Sequence, residues 1–172
     1  IAVAIATANR RHRETQGMIG LFVNTLILRT DMSGDPTFRE QLARVRQTAI
    51  EGFEHEEMPF EMLVQELQPN YNPQRFPLVQ VLFNYHSRIT AEQVRRREEL
   101  SIGYRPTESG PLVIRHELTL TVRETAHDLN LLMQYDADLF DDETIERMAG
   151  HFQTLLAGVI EDFLLNQAGR VG

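Results

Sequence analysis

Apolar positions in the first part of the chain form continuous runs. Residues 1–6 are apolar throughout, and residues 21–29 form a second run that contains one amide, Asn24. Short apolar runs of this kind predict buried strands. A buried amide without a partner costs about 1–3 kcal/mol, so Asn24 is expected to have specific hydrogen-bond partners. Taken by itself, this residue is most simply interpreted as a satisfied structural amide.

Two helices are predicted after the second strand. Ser33-Gly34-Asp35-Pro36 predicts a turn that starts a helix, with Asp35 as N-cap and Pro36 at the first helical position. The apolar face of this helix comprises Phe38, Leu42, Val45, Ala49 and Phe53. The next helix is predicted to begin at Pro59, and its stripe comprises Phe60, Leu63, Val64 and Leu67.

Residues 77–86 alternate between two faces, which predicts a strand. One face comprises Val79, Val81, Phe83 and Tyr85. The other comprises Gln80, Leu82, Asn84 and His86. Two amides and an imidazole beside leucine fit either the wall of a half-polar cavity or a solvent-facing side, and the sequence leaves both open.

The last third predicts a hairpin and a long helix. Residues 117–124 and 129–136 are strand-like and joined by a short connection, which favours an antiparallel hairpin. The helix is predicted to begin near Asp141, with Ile145, Met148, Phe152, Leu155, Val159 and Phe163 as its stripe. The order of elements predicts an α/β fold, an α+β two-layer sandwich with a mixed sheet and helices mainly on one face. We expect residues 1–172 to be a single domain.

Composition excludes several classes of function. The formal net charge of -8 argues against a nucleic-acid-binding surface, and no apolar run is long enough to cross a membrane. The chain contains no cysteine, and all 17 basic residues are arginine, so cysteine nucleophiles and Schiff-base lysines are excluded. We expect a cytoplasmic protein, and the abrupt apolar start suggests a piece of a longer one.

Three other sets of polar residues are candidates for a site. Residues 54–57, Glu-His-Glu-Glu, are interpreted as a solvated helix end rather than a metal site. His86 and His116 are interpreted as structural histidines. Arg95-Arg96-Arg97 fits a plain exposed helix, and a contact with a carrier protein is the alternative.

Several ordered stretches resemble condensation domains, the peptide-bond-forming units of nonribosomal peptide synthetases. The family pattern IGxFVNT is matched by Ile19-Gly20-Leu21-Phe22-Val23-Asn24-Thr25. The pattern HQDLPFExLVxxL is matched by residues 55–67, and the second half of RDxSRxPLxQVxF by residues 75–83. Leu118-Thr119-Leu120 matches the end of FDLTL, and residues 135–152 match YNTDLFDxxTIxRMxxHF.

The main departures from the family pattern lie in two motifs, and residues 88–101 match no family motif. Tyr71, Asn72 and Gln74 replace the first arginine, the aspartate and the serine of RDxS. His116-Glu117 replaces the FD of FDLTL.

The resemblance implies a fold similar to chloramphenicol acetyltransferase, in which two lobes meet at the active site. The reactive histidine of the family lies in HHxxxDG on the amino-terminal lobe, and this chain contains no His-His pair. The chain therefore resembles the carboxy-terminal lobe and is expected to be inactive alone. The resemblance implies no bound cofactor, because phosphopantetheine arrives on partner carrier proteins, and no metal.

The resemblance also implies partners and site residues. The expected partners are the amino-terminal lobe, donor and acceptor peptidyl carrier proteins and an adjacent adenylation domain. Asn24, Thr25 and Gln80 are expected to organise the substrate tunnel, and Arg95, Arg96 and Arg97 are the possible carrier contact. The alternatives are a non-catalytic carrier-binding domain, or a lobe of an epimerization or heterocyclization relative. The intact Phe22-Val23-Asn24-Thr25 favours condensation over epimerization.

Overall fold

The computed structural model describes residues 1–68, 72, 75–87 and 116–168, with side chains to residue 164. The strands of this part are β1 (Ala2–Thr7), β2 (Asn24–Arg29), β3 (Val81–His86), β4 (Leu118–Glu124) and β5 (Leu129–Tyr135). The helices are α1 (Phe38–Glu54), α2 (Phe60–Leu67) and α3 (Asp142–Ala168), and a 3-10 turn spans Arg13–Thr15. The predicted order of elements is confirmed.

The five strands form one mixed sheet in the order β2-β1-β3-β4-β5. The β1–β2 and β4–β5 pairs are antiparallel, and β3 lies parallel to both β1 and β4. The predicted hairpin is confirmed, since β5 follows β4 through a connection in which the Thr125 amide donates to the Asp128 carbonyl at 2.8 Å.

The helices are tied to one face of this sheet. Leu26 is buried on β2, and Leu28 on the same face contacts Gly52 of α1. The strand register places Tyr135 of β5 on that face too, and its hydroxyl donates to Asp142 of α3 at 2.5 Å. The predicted arrangement of helices mainly on one face of a mixed sheet is therefore confirmed.

The start of α1 differs from the prediction. Thr37 is the N-cap, because its hydroxyl accepts from the Glu40 amide at 3.3 Å while Glu40 accepts from the Thr37 amide at 2.8 Å. Gly34 and Asp35 both lie in the left-handed region, Asp35 with φ 47°. Asp35 therefore cannot serve as the cap. A cap residue needs extended backbone, which Thr37 has at φ -61° and ψ 158°.

The capping carboxylate should make stability depend on pH. Hydrogen bonds from the Thr37 hydroxyl, and then from its amide, hold the pKa of Glu40 below its ordinary 4.5. A lowered pKa gives stability that is present above 4.5 and lost as pH falls through the folded value. We expect the loss of stability caused by Glu40→Gln to shrink between neutral pH and about pH 3, measured as unfolding midpoints of both proteins. A constant difference over that range would contradict this assignment.

The predicted stripe of α1 is less covered than its spacing suggests. Phe38, Leu42, Val45 and Phe53 remain 40–47% exposed. A close contact with β2 is made at Gly52, where an added Cβ would lie 2.8 Å from the Leu28 Cδ2 atom. This glycine lets α1 approach the sheet closely.

Helical glycines allow a matched test of that approach. Gly150 of α3 has no atom within 4 Å of an added Cβ, so Gly150→Ala should raise the free energy of unfolding by about 0.5–1 kcal/mol through helix propensity. Gly52→Ala should gain less or lose stability, because the new methyl group displaces the Leu28 side chain. Urea unfolding compares the two. An equal gain at both sites would mean that Gly52 is not needed for packing.

Candidate functional site

Asn24 holds the connection between α1 and α2 against β2. Its Nδ2 donates to the carbonyl oxygens of Glu56 at 2.8 Å and Met58 at 2.7 Å. Its Oδ1 accepts from the Phe60 amide at 3.1 Å. The expectation of specific partners is confirmed, and three of the four hydrogen-bonding positions of the amide are used.

Glu56 strengthens the same junction from the other side. The Thr7 hydroxyl, buried at the end of β1, donates to its carboxylate, and Arg11 Nε lies 3.6 Å from it. Only 13% of the Glu56 side chain is exposed, so interpreting residues 54–57 as solvated is wrong for this residue. We call Thr7, Asn24 and Glu56 the β2 clamp.

Thr25 and Gln80 lie apart from the clamp. Thr25 is half-buried and, as the next residue along β2, points to the opposite face of the sheet. Gln80 is half-buried just before β3. It lines a cavity of about 200 Å³ with Gln68, Asn72, Arg75, Phe76 and Pro77. The structure therefore does not place the three predicted site residues in one cluster.

Gln68 is a residue of this cavity that the sequence did not point to. Its Oε1 accepts from the Leu78 amide at 3.0 Å. Leu78 has φ 66°, an unfavourable conformation for a leucine, and the next residue, Val79, is almost completely buried. Gln68 thus stabilises the strained bend that leads to Gln80. A positive φ at leucine has no signature in the sequence, which is why this role was not predicted.

Glu117, at the second departure from the family pattern, forms an ion pair with Arg75. Arg75, which matches the second arginine of the family pattern, donates from Nε to the Glu117 carboxylate at 2.9 Å, and its terminal nitrogen also contacts it. His116 is buried, with its ring centroid 3.9 Å from that of Phe76, which stacks on Phe60 at 5.2 Å. Glu117 therefore places a carboxylate at the position of the family aspartate, and this carboxylate is paired with Arg75.

Other candidate sites can be placed briefly. Within residues 1–68, 72, 75–87 and 116–168, no group of three His, Asp or Glu side chains could hold a metal ion. No helix in this part of the chain is long and apolar enough to span a membrane. His86 is exposed at the end of β3. Tyr71, Gln74, Arg95, Arg96 and Arg97 lie outside the described residues.

Comparison with known proteins gives a consistent result. The sequence model of the condensation domain matches residues 1–168. A linear gramicidin synthase of Brevibacillus parabrevis is 43% identical over 162 residues, which are 93% of this chain and 2% of that protein. A chondramide synthase of Chondromyces crocatus is 39% identical over 162 residues, which are 94% of this chain and 4% of that protein. The chain thus spans a very small part of either relative.

Solved structures agree with the fold. A four-domain nonribosomal peptide synthetase bound to AMP and glycine matches with a TM-score of 0.75 and 23% identity, over 93% of this chain and 13% of that one. The X-domain from teicoplanin biosynthesis matches with a TM-score of 0.66 and 25% identity, over 84% of this chain and 33% of that one. These structures show the fold, and the match over residues 1–168 shows that the chain belongs to the condensation-domain family.

Proposed function

We propose that the chain is the carboxy-terminal lobe of a condensation domain and supports amide-bond formation between carrier-tethered aminoacyl or peptidyl thioesters. The observation that carries this proposal is the family match over residues 1–168, in a chain that contains no HHxxxDG motif. The lobe acts with the amino-terminal lobe, the donor and acceptor carrier proteins and the adjacent adenylation domain. Phosphopantetheine is delivered by the carriers, and the parent protein works in the cytoplasm.

Positioning is the chemistry that this lobe can supply. Attack of an amine on a thioester gains an effective molarity on the order of 10⁵–10⁸ M when both reactants are held together. The β2 clamp fixes the end of β1, β2 and the α1–α2 connection relative to one another. We assign Asn24, Thr25 and Gln80 to organising the tunnel wall, and none of them to acid–base catalysis.

Gln80 gives a prediction on activity. In the complete condensation domain, Gln80→Ala should lower kcat about tenfold, because misplacement of a tethered reactant is costly in a reaction that depends on positioning. The unfolding midpoint should change little, since Gln80 is only half-buried. Gln47→Ala, on the exposed face of α1, is the control. An unchanged kcat would contradict the assignment of Gln80 to the tunnel wall.

The gene itself tests which lobe this is. We expect the reading frame upstream of Ile1 to encode a lobe with an intact HHxxxDG motif. A frame in which that motif is destroyed or missing would contradict the catalytic proposal. That result would favour the alternative, a non-catalytic carrier-binding domain, for which the replacement of the family aspartate by Asn72 is the supporting observation.

A further inference from the structure

A row of apolar side chains projects from the segment that leads into β2. Met18, Ile19, Leu21 and Val23 are 54%, 103%, 93% and 62% exposed, and we call them the apolar ridge. The prediction that residues 21–23 belong to a buried strand is wrong. The ladder with β1 ends at the Thr7–Asn24 pair, and β1 is followed by Asn9 with φ 48°.

The ridge is held in a fixed shape by Arg10. A terminal guanidinium nitrogen donates to the Met18 carbonyl at 2.9 Å and also to the Thr15 carbonyl, and the guanidinium lies 4.1 Å from the centroid of the Phe22 ring. Phe22 packs closely over Gly20, where an added Cβ would lie 2.9 Å from its Cε2 atom. Specific contacts therefore maintain the exposure of the ridge side chains.

The backbone of the same segment is open as well. Within the described part of the chain, no hydrogen bond holds the backbone of residues 19–23. A polypeptide that covered only the side chains would bury these groups unpaired, at a cost for each of them. An extended segment that pairs with residues 19–23 would cover the apolar side chains and also form hydrogen bonds with the backbone.

Charge distinguishes between a permanent and a transient partner. No charged residue occurs from Thr15 to Leu28, although 24% of the chain is charged. Permanent interfaces are more apolar than transient ones, and charged residues are depleted at the core of an interface. An uncharged, preformed ridge therefore favours a partner that stays bound over a carrier protein that docks and leaves.

The size of related domains identifies such a partner. Matched over 84% of its length, this chain accounts for only 33% of the teicoplanin X-domain chain, so most of that related domain has no counterpart in it. We propose that the apolar ridge is covered permanently by the rest of the condensation domain, through an extended segment that pairs with residues 19–23. This inference rests on the proposed function only for the identity of the partner.

Hydrogen exchange in the complete condensation domain tests the proposal. Amides of residues 19–23 should exchange at least about tenfold more slowly than their intrinsic rates, while the amide of the exposed Ala126, which has no hydrogen bond in the described part of the chain, serves as the internal reference. Exchange at the intrinsic rate would overturn the proposal. Protection that appears only on adding carrier protein, or only as the domain dimerises, would also overturn it.

Two substitutions give an independent measurement. The double variant Ile19→Asp/Leu21→Asp changes two side chains that make almost no contact within this lobe. A lowered Tm of the complete domain would therefore report loss of contact between the apolar ridge and the rest of the domain. Ile160→Asp on α3, 58% exposed, is the matched control and should leave Tm nearly unchanged. An equal effect at the two sites would contradict the proposal. A protected ridge in a domain that fails to form amides would overturn the proposed function while supporting this inference.

Discussion

Replacing Asn24 with alanine should lower the free energy of unfolding by about 2–4 kcal/mol. The substitution removes three hydrogen bonds, each worth about 0.5–1.5 kcal/mol, and leaves two carbonyl groups and one amide without their partner. The loss should appear in urea unfolding as a lower midpoint with an unchanged slope. It should be large because, in the part of the chain that the structure describes, the Asn24 side chain makes the hydrogen bonds that join β2 to the backbone of residues 56–60.

Two variants separate this role from a general effect of substitution. Asn24→Asp keeps an acceptor for the Phe60 amide but loses both donors, so it should remain strongly destabilised. Thr25→Ala, at the neighbouring position on the opposite face of the sheet, should lower the free energy of unfolding much less than Asn24→Ala does. Equal effects at positions 24 and 25 would show that the hydrogen bonds to the α1–α2 connection do not dominate.

Phe60→Ala should cost about 3–5 kcal/mol of unfolding free energy, the usual range for truncating a buried phenylalanine. Phe60 is buried at the start of α2 and stacks on Phe76, which in turn contacts His116. Its truncation leaves a cavity in this aromatic stack and removes an attachment of α2. Calorimetry or urea unfolding of the chain measures the effect.

Phe53→Ala is the matched control, because it removes the same side chain from a position that is 45% exposed. It should cost clearly less than Phe60→Ala. Similar losses would mean that the exposed stripe of α1 is as important to this fold as the buried stack. Phe60→Leu, which retains much of the apolar volume, should recover part of the stability.

Hydrophobic periodicity predicted most of the fold because each element carries its own pattern. Residues 81–86 of the alternating segment form β3, and the stripe from Ile145 to Phe163 recurs at helical spacing, so both elements could be predicted without knowing their neighbours. The predicted strand began four residues too early, because Leu78 adopts a positive φ. The hairpin followed from two apolar segments separated by four residues. These are local properties of the chain, and tertiary packing did not override them in residues 81–86, in the hairpin or in α3.

Two of the predictions that failed depend on distant segments of the chain, and the third depends on the local turn before α1. Whether residues 21–23 are buried depends on where β1 ends, and Asn9 sets that limit through its positive φ. The environment of Glu56 depends on Thr7, which lies 49 residues earlier in the chain. The N-cap of α1 is Thr37 rather than Asp35, because Gly34 and Asp35 form the preceding turn in left-handed conformations. The first two of these environments have no signature at a fixed spacing in the sequence, whereas Thr37 and Glu40 fit the Ser/Thr-x-x-Glu/Gln pattern of a capping box.

Amide formation by the complete condensation domain tests the central claim most directly. Donor and acceptor carrier proteins, each loaded with an aminoacyl thioester, are mixed with the complete domain or with this chain alone, and the tethered product is measured by mass spectrometry. We predict a dipeptidyl thioester with the complete domain and none above background with the chain alone. Product from the chain alone, or no product from a complete domain with loaded carriers, would contradict the proposal that this lobe is half of a condensation enzyme.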